Sequence, residues 1–459
     1  MLKKILVQLC ILFTFMQLHA QDSLNMTRLS HWDDDALPIA APGNLNLQYS
    51  GCWGIAVNGH EYAFLGGALH VLIFDITNPY NPKLVGKFAG TTNTVWREFK
   101  SYKNRVYEVT DGTAEGMMIF DMSQAPDTII RSYWSNELFN SSHSITLDTV
   151  SGHIYLNGTN VVSNGSLILD VSQNPDKPTI VAEVPLEGGY IHDSYVRNDT
   201  LYASSGYNGY YIYNMKNPQA PVTLASCSTG GYNHLSWLNK EGTYAYYTEE
   251  IPKGRPIQIV DLHHLTTGGG IEPVVSFLDN LTLNSGSLAI PHNIYIKNNL
   301  LFDSQYEDGL LVYDISVPLA PVLVAHYDTH PENTIYNGYF GCWGNYPWLP
   351  SGTIIAGDMQ NGLQILKITT PTSVKQPTVE NAVTVSPNPA HETLNIKTTL
   401  DATAWTYRIL NVNGALVKSG TVEQRNEANV ALAGIAAGMY VVEIRDAKGR
   451  YSVAKVAVR

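Results

Sequence analysis

Short apolar runs that end on an acidic residue and a turn punctuate most of this chain. Val71-Leu-Ile-Phe-Asp75 leads into Ile-Thr-Asn-Pro79, and the same figure returns as Met118-Ile-Phe-Asp121-Met-Ser and Leu167-Ile-Leu-Asp170-Val-Ser. Leu311-Val-Tyr-Asp314-Ile-Ser-Val-Pro318 is a further strong copy, and weaker copies end at Asn214, Asp261 and Lys367. From residue 75 onward the spacings are 46, 49, 44, 47, 53 and 53. Between the copies lie other runs of four to eight residues rich in Val, Ile, Tyr and Phe and bounded by Gly, Asn and Pro, which predict strands. A period of this length built only from strand-type segments predicts four-stranded propeller blades. In the first copy the four strands fall near 53–57, 62–65, 71–75 and 83–88. Pro82, Pro178, Pro221 and Pro321 precede the fourth strand. Proline is tolerated at the start of an edge strand, where no ladder donor is lost, so the fourth strand is the outer one. The Asp that ends the third strand is expected to accept hydrogen bonds from the backbone of its own turn.

Seven copies are present, and the seventh stops after its third strand at Ile368. Residues 24–32 alternate like a strand and are expected to supply the missing outer one. The fold class is therefore all-β: a seven-bladed β-propeller over residues 21–368, closed in its last blade by the N-terminal strand, followed by a small C-terminal β-sandwich. Closure of this kind removes a free edge that would invite aggregation. Residues 369–383 are rich in Thr and Pro and read as a linker. Residues 384–459 carry short strand patterns of their own. Residues 1–20 read as a signal peptide, with Lys3 and Lys4 ahead of an apolar stretch of about a dozen residues and a small residue, Ala20, at the expected cut.

Composition narrows the function. Charged residues make up only 15% of the chain and there are 28 tyrosines, which suits an extracellular all-β protein. The formal net charge is −12, although residues 384–459 hold nine Lys/Arg against six Asp/Glu. The acidic excess thus lies ahead of them and disfavours nucleic acid as a partner. No later run is long and apolar enough for a transmembrane helix. A monomer is expected. Beyond the signal peptide the cysteines number three, no basis for a disulfide framework. Cys52 and Cys342 share the tetrapeptide Gly-Cys-Trp-Gly, and ring closure would bring the two copies to adjacent blades, making Cys52–Cys342 the candidate disulfide in an oxidising compartment.

The first strand of a blade lines the central channel. Counted back from the Asp-ended strand, one position holds Trp53, Trp96, His143, His192, His234, His292 and Trp343. Arg97, Glu98 and Asp193 flank them as further channel-mouth candidates. Four imidazoles on rigid strands are a candidate set for a divalent metal (His143, His192, His234, His292). The same residues also suit a ligand pocket, a general acid–base site, or plain packing that locks neighbouring blades. There is no nucleotide-binding glycine loop, nucleophile elbow or His-Glu-x-x-His helix, so no cofactor is specified by motif, and an enzyme is the less favoured reading.

Two resemblances go further. Ser386-Pro-Asn-Pro389, the Asn411-Val-Asn-Gly414 turn and the Gly438-Met-Tyr-Val strand make residues 384–459 similar to the type A sorting domain of the type IX secretion system. That resemblance implies export across a Gram-negative outer membrane to the cell surface or medium, with the secretion machinery as a partner. Residues 24–368 resemble the LVIVD-repeat proteins, in particular the choice-of-anchor B family. The likeness is carried by Leu-Ile-Leu-Asp-Val-Ser and Leu-Val-Tyr-Asp-Ile-Ser together with Trp96-Arg-Glu98, Ile191-His-Asp193, Pro291-His-Asn293 and Gly344-Asn-Tyr-Pro-Trp-Leu-Pro-Ser-Gly352. It implies fold and location, and no chemistry. The function expected is a secreted or surface binding or scaffold module for an extracellular protein or glycan. The alternative is a metal-dependent enzyme or metalloprotein at the His-rich mouth.

Overall fold

The computed structural model describes residues 23–40, 45–277, 288–332, 336, 338–369, 382–400, 404–411, 416–446 and 451–459. The expected signal peptide and nearly all of the expected linker lie outside them. The regular structure described is almost entirely antiparallel strand. Up to residue 369 the strands form a series of sheets, each consistent with a propeller blade and built from consecutive strands in chain order, apart from the two N-terminal strands that join the last two sheets. The first sheet, for example, is Tyr49–Val57, His60–Gly67, His70–Asp75 and Lys83–Ala89.

Burial explains why the third strand is the clearest sequence signal. Val71, Leu72, Ile73 and Phe74 are all fully buried, because both faces of that strand are covered by neighbouring sheets. Such a strand reads as an unbroken apolar run. The fourth strand, Lys83–Ala89, is largely exposed and reads weakly. The turn after the third strand is the same in six of the sheets. Asp75, Asp121, Asp170, Asn214, Asp261 and Asp314 each accept a hydrogen bond through Oδ1 from the backbone N–H two residues on. The periodic Asp is thus a turn residue, as expected.

The N-terminal segment pairs where the sequence places it. Met26–Trp32 runs antiparallel to Gly362–Ile368, with Met26 opposite Ile368 and Trp32 opposite Leu363. Its register shifts between Arg28 and Ser30, matching the shift between third and fourth strands elsewhere, as at Ile73/Phe74 and Val312/Tyr313. Ser23–Leu24 adds to the edge of the preceding sheet, opposite Tyr327 and His326. The first strands neighbour one another in chain order, and Cys342–Tyr346 packs against Tyr49–Val57.

A separate pair of sheets follows. One holds Val383–Ser386, Thr393–Thr398 and Glu427–Ala431; the other holds Leu416–Glu423, Ala404–Asn411, Gly438–Asp446 and Tyr451–Val458. Their own core includes Leu394, Ile396, Trp405, Ile409, Val442 and Ile444.

Candidate functional site

Strand pairing fixes which residues are equivalent from sheet to sheet. Trp53 lies opposite Phe64, and the same register position is held by Lys100, Thr146, Tyr195, Trp237, Tyr295 and Tyr346, opposite Tyr107, Tyr155, Tyr202, Tyr246, Phe302 and Ile355. Three residues earlier in the chain stand Ser50, Arg97, His143, His192, His234, His292 and Trp343. Three strand residues span about 10 Å, so the two sets lie at different depths and line two different cavities.

The earlier set surrounds a cavity of about 500 Å³ that includes His143, His192, His234, His292, Trp343, Trp96, Glu98 and Asp193 in its wall. The imidazoles form a continuous arc. Ring centroids are 4.2 Å apart for His143 and His192, 4.4 Å for His192 and His234, and 4.0 Å for His234 and His292. Trp343 continues the arc at 5.6 Å from His292, and Trp96 stands 6.4 Å from His143 at the other end.

Three expectations need correction. Trp53 does not belong to this mouth; it lines the second cavity, three register positions away. Arg97 is fully buried rather than presented to a ligand. Its guanidinium donates to Gly67 O at 3.0 Å and pairs through Nη1 with Glu108 at 2.6 Å and Glu115 at 3.2 Å. It locks the first two sheets together, and Gly51 makes room for it: a Cβ there would collide with the Arg97 carbonyl. Cys52 and Cys342 are both buried free thiols, with no bond between them. Cys227 is half-buried and also free.

The four imidazoles sit in unlike surroundings. Burial pulls the His143 pKa down, but the Asp111 carboxylate, 2.8 Å from Nδ1, outweighs it and leaves the net shift upward. Burial holds His192 and His234 well below the usual imidazole range, and charge on the neighbouring imidazoles adds to the effect. His292 is pushed down to about 3 by burial, although its Nδ1 lies 2.7 Å from the Trp343 carbonyl. A proton on that nitrogen donates to the carbonyl and fixes the tautomer. Burial raises Glu250 to about 6, and burial with the nearby Glu98 raises Asp193 to about 7.

His192, His234 and Glu250 each offer a ligand atom within 4.8 Å of the other two, the one such His/Cys/Asp/Glu group among the described residues. Nδ1 of His192 and Nδ1 of His234 are buried without a hydrogen-bond partner. The sequence reading missed Glu250 and Asp111, which lie just beyond second strands, away from the first-strand position being compared. It also missed Tyr190 and Tyr232, which line the cavity two residues ahead of His192 and His234. The shared Tyr-x-His spacing was a legible signal, since alternate residues of an extended chain share a face.

The comparisons with known proteins bear on the chain at its two ends. Residues 384–459 match the secretion system C-terminal sorting domain. The LVIVD repeat matches residues 52–90 and 293–329. An LVIVD-repeat region and a type IX sorting domain are both present. This repeat protein is therefore exported to the cell surface or beyond, and residues 384–459 engage the type IX translocon. No described helix is long and apolar enough to cross a membrane. No curated protein matches the chain. Among solved structures, a Lactobacillus plantarum protein solved as a structural genomics target is 12% identical with a TM-score of 0.48, covering 78% of this chain and 93% of its own. The Myceliophteria thermophila Cps50 (Swd1) β-propeller domain is 10% identical with a TM-score of 0.46, covering 67% and 94%.

Proposed function

We propose that this chain is an exported seven-bladed propeller that binds an extracellular protein or glycan at its His-lined mouth. In this reading residues 1–20 are the signal peptide, 21–368 the propeller and 369–383 the linker to the sorting domain. Ring closure is supported by Cys342–Tyr346 packing on Tyr49–Val57 and by Met26–Trp32 filling the outer position of the last sheet. The observation that carries the binding role is the continuous arc of His143, His192, His234 and His292 along the wall of a 500 Å³ cavity. Concave cavities of this size with a few convergent polar groups are the usual form of a ligand site.

A second reading rests on the same atoms. His192, His234 and Glu250 suit zinc or another divalent transition metal, which takes neutral imidazoles and a carboxylate. Burial keeps both imidazoles neutral, and half-exposed Glu250 leaves the cavity side open for a further ligand. Elemental analysis of the full chain purified without chelators, beside His192→Ala, separates the two. Near-stoichiometric metal that disappears in the variant selects the metalloprotein. Absence of metal in both, with surface-protein or glycan capture lost in His192→Ala, supports plain binding. No metal in either protein, with every captured partner retained by His192→Ala, sinks both.

A further inference from the structure

The later register position builds a second cavity at the opposite end of the first strands. Five of its seven residues are aromatic: Trp53, Tyr195, Trp237, Tyr295 and Tyr346. Trp348, two residues past the strand that carries Tyr346, folds back over them. Its ring lies 5.9 Å from Trp53, 5.5 Å from Trp237, 5.2 Å from Tyr295 and 5.3 Å from Tyr346. A Cβ at Gly54 would overlap the Tyr346 ring, so the glycine is what admits that side chain. Trp348 fills the side of the mouth formed by the first, fifth, sixth and seventh sheets. The side facing Lys100, Thr146 and Tyr195 is left as a hollow of about 470 Å³.

The polar tips around this hollow decide what suits it. The Trp53 indole N–H is spent on Ser101 at 2.9 Å. The indole N–H groups of Trp237 and Trp348 and the hydroxyls of Tyr195 and Tyr346 make no hydrogen bond with any described residue, and none of these atoms is shut away from the cavity. An alkyl chain would leave them idle. An anion finds the Lys100 ammonium, already 3.5 Å from Glu98, and the Arg197 guanidinium, already donating to the Asn239 and Lys240 carbonyls. A cation would meet that same ammonium, 4.6 Å from the Trp53 ring centroid, and the Asp148 and Asp193 carboxylates of the lining already accept from Val150, Ser151 and Ser194. What remains is a neutral ring with an apolar C–H face and a hydroxyl edge: the face lies on the indoles and phenols, and the edge meets their N–H and O–H tips.

We propose that this mouth is a saccharide site, distinct from the His-lined one and specific for neutral sugar rings. Tyr195 and Trp237, 4.2 Å apart between ring centroids, form the stacking wall. The test is to titrate the full chain with cellobiose, maltose, xylobiose and chitobiose while following tryptophan emission. At least one disaccharide should give a saturable change with a Kd around the millimolar range or tighter. A Tyr195→Phe/Tyr346→Phe double variant keeps both rings and removes two hydroxyl tips. It should melt like the parent and bind about tenfold more weakly, a loss of about 1.4 kcal/mol. Tyr80→Ala, on an exposed turn that lines neither cavity, should bind as the parent does. The proposal is overturned if no disaccharide saturates the signal at about 50 mM, which is weaker than any useful site. It is also overturned if tetramethylammonium saturates it where sugars do not, or if His192→Ala abolishes the response and the double variant keeps it.

Discussion

Asp111 and His143 face each other across the boundary between the second and third sheets, with 2.8 Å between Asp111 Oδ2 and His143 Nδ1. The contact sets His143 apart from the three other imidazoles of the arc. It raises the His143 pKa while burial depresses the others, so the cavity can hold one protonated and three neutral rings at once.

The sign of the resulting pH dependence follows. A base whose pKa is raised on folding adds stability in full below its unfolded value near 6.5, and that stability is lost as pH rises through the folded value. Asp111→Asn should therefore lower the His143 pKa and flatten the fall in thermal midpoint on the alkaline side of pH 6.5. NMR titration of the His143 ring protons checks it; an unmoved titration in the variant would refute the assignment. His292 has the opposite sign. Its folded pKa of about 3 costs stability as pH falls from about 6.5 toward that value.

Arg97 is expected to be a structural keystone. Arg97→Met would leave Glu108 and Glu115 buried without their shared partner, at a cost of about 3–5 kcal/mol. Urea unfolding of the two proteins measures it. A difference below about 1 kcal/mol would place the value of this buried triad near that of an ordinary surface ion pair.

The N-terminal strand is expected to be integral to the sheet it joins. Met26 is buried against Phe302, Leu310 and Leu366. Met26→Ala should cost about 2–5 kcal/mol, and a chain begun at residue 33 should aggregate, because the Gly362–Ile368 edge would lie open. Light scattering of the truncated protein is the readout; a stable monomer would count against a closing role for this strand.

The thiols give a chemical check on packing. Burial pushes the pKa of both Cys52 and Cys342 above the ordinary thiol range, and that of Cys227 up to about 12. Iodoacetamide at pH 8 should leave Cys52 and Cys342 untouched in the folded protein and alkylate both after unfolding, counted by mass spectrometry. Two masses missing after unfolding would reveal a disulfide instead.

The repeat, the Asp turn and the N-terminal strand were legible because each leaves a local mark: an apolar run, a fixed turn residue or an alternation. The channel register was less so. Loops between the first and third strands differ in length from sheet to sheet, so counting back from the Asp-ended strand reached the correct depth at His143, His192, His234, His292 and Trp343. It slipped by one residue at Trp96 and by three at Trp53. The repeated Gly-Cys-Trp-Gly hid the second slip. Gly344 pairs with Gly357 beside a register shift, and Trp343 stands at that shift, whereas Trp53 sits in regular pairing with Phe64. Identical tetrapeptides thus present their indoles to opposite mouths. Glu250 and Asp111 were invisible for another reason: both lie past the end of a second strand, where Glu250 meets His234 through its own sheet's pairing and Asp111 meets His143 across the boundary between two sheets.

Pairing Met26 with Ile368 also sets a schedule. Met26 precedes Ile368 by almost the whole repeat region, so the early partner must wait until the intervening chain exists. Joining segments so distant in sequence is slow, even though the added entropy of a longer loop grows only logarithmically. The last sheet is thus a completeness check: its pairing forms only when the final strand of the repeat region is present.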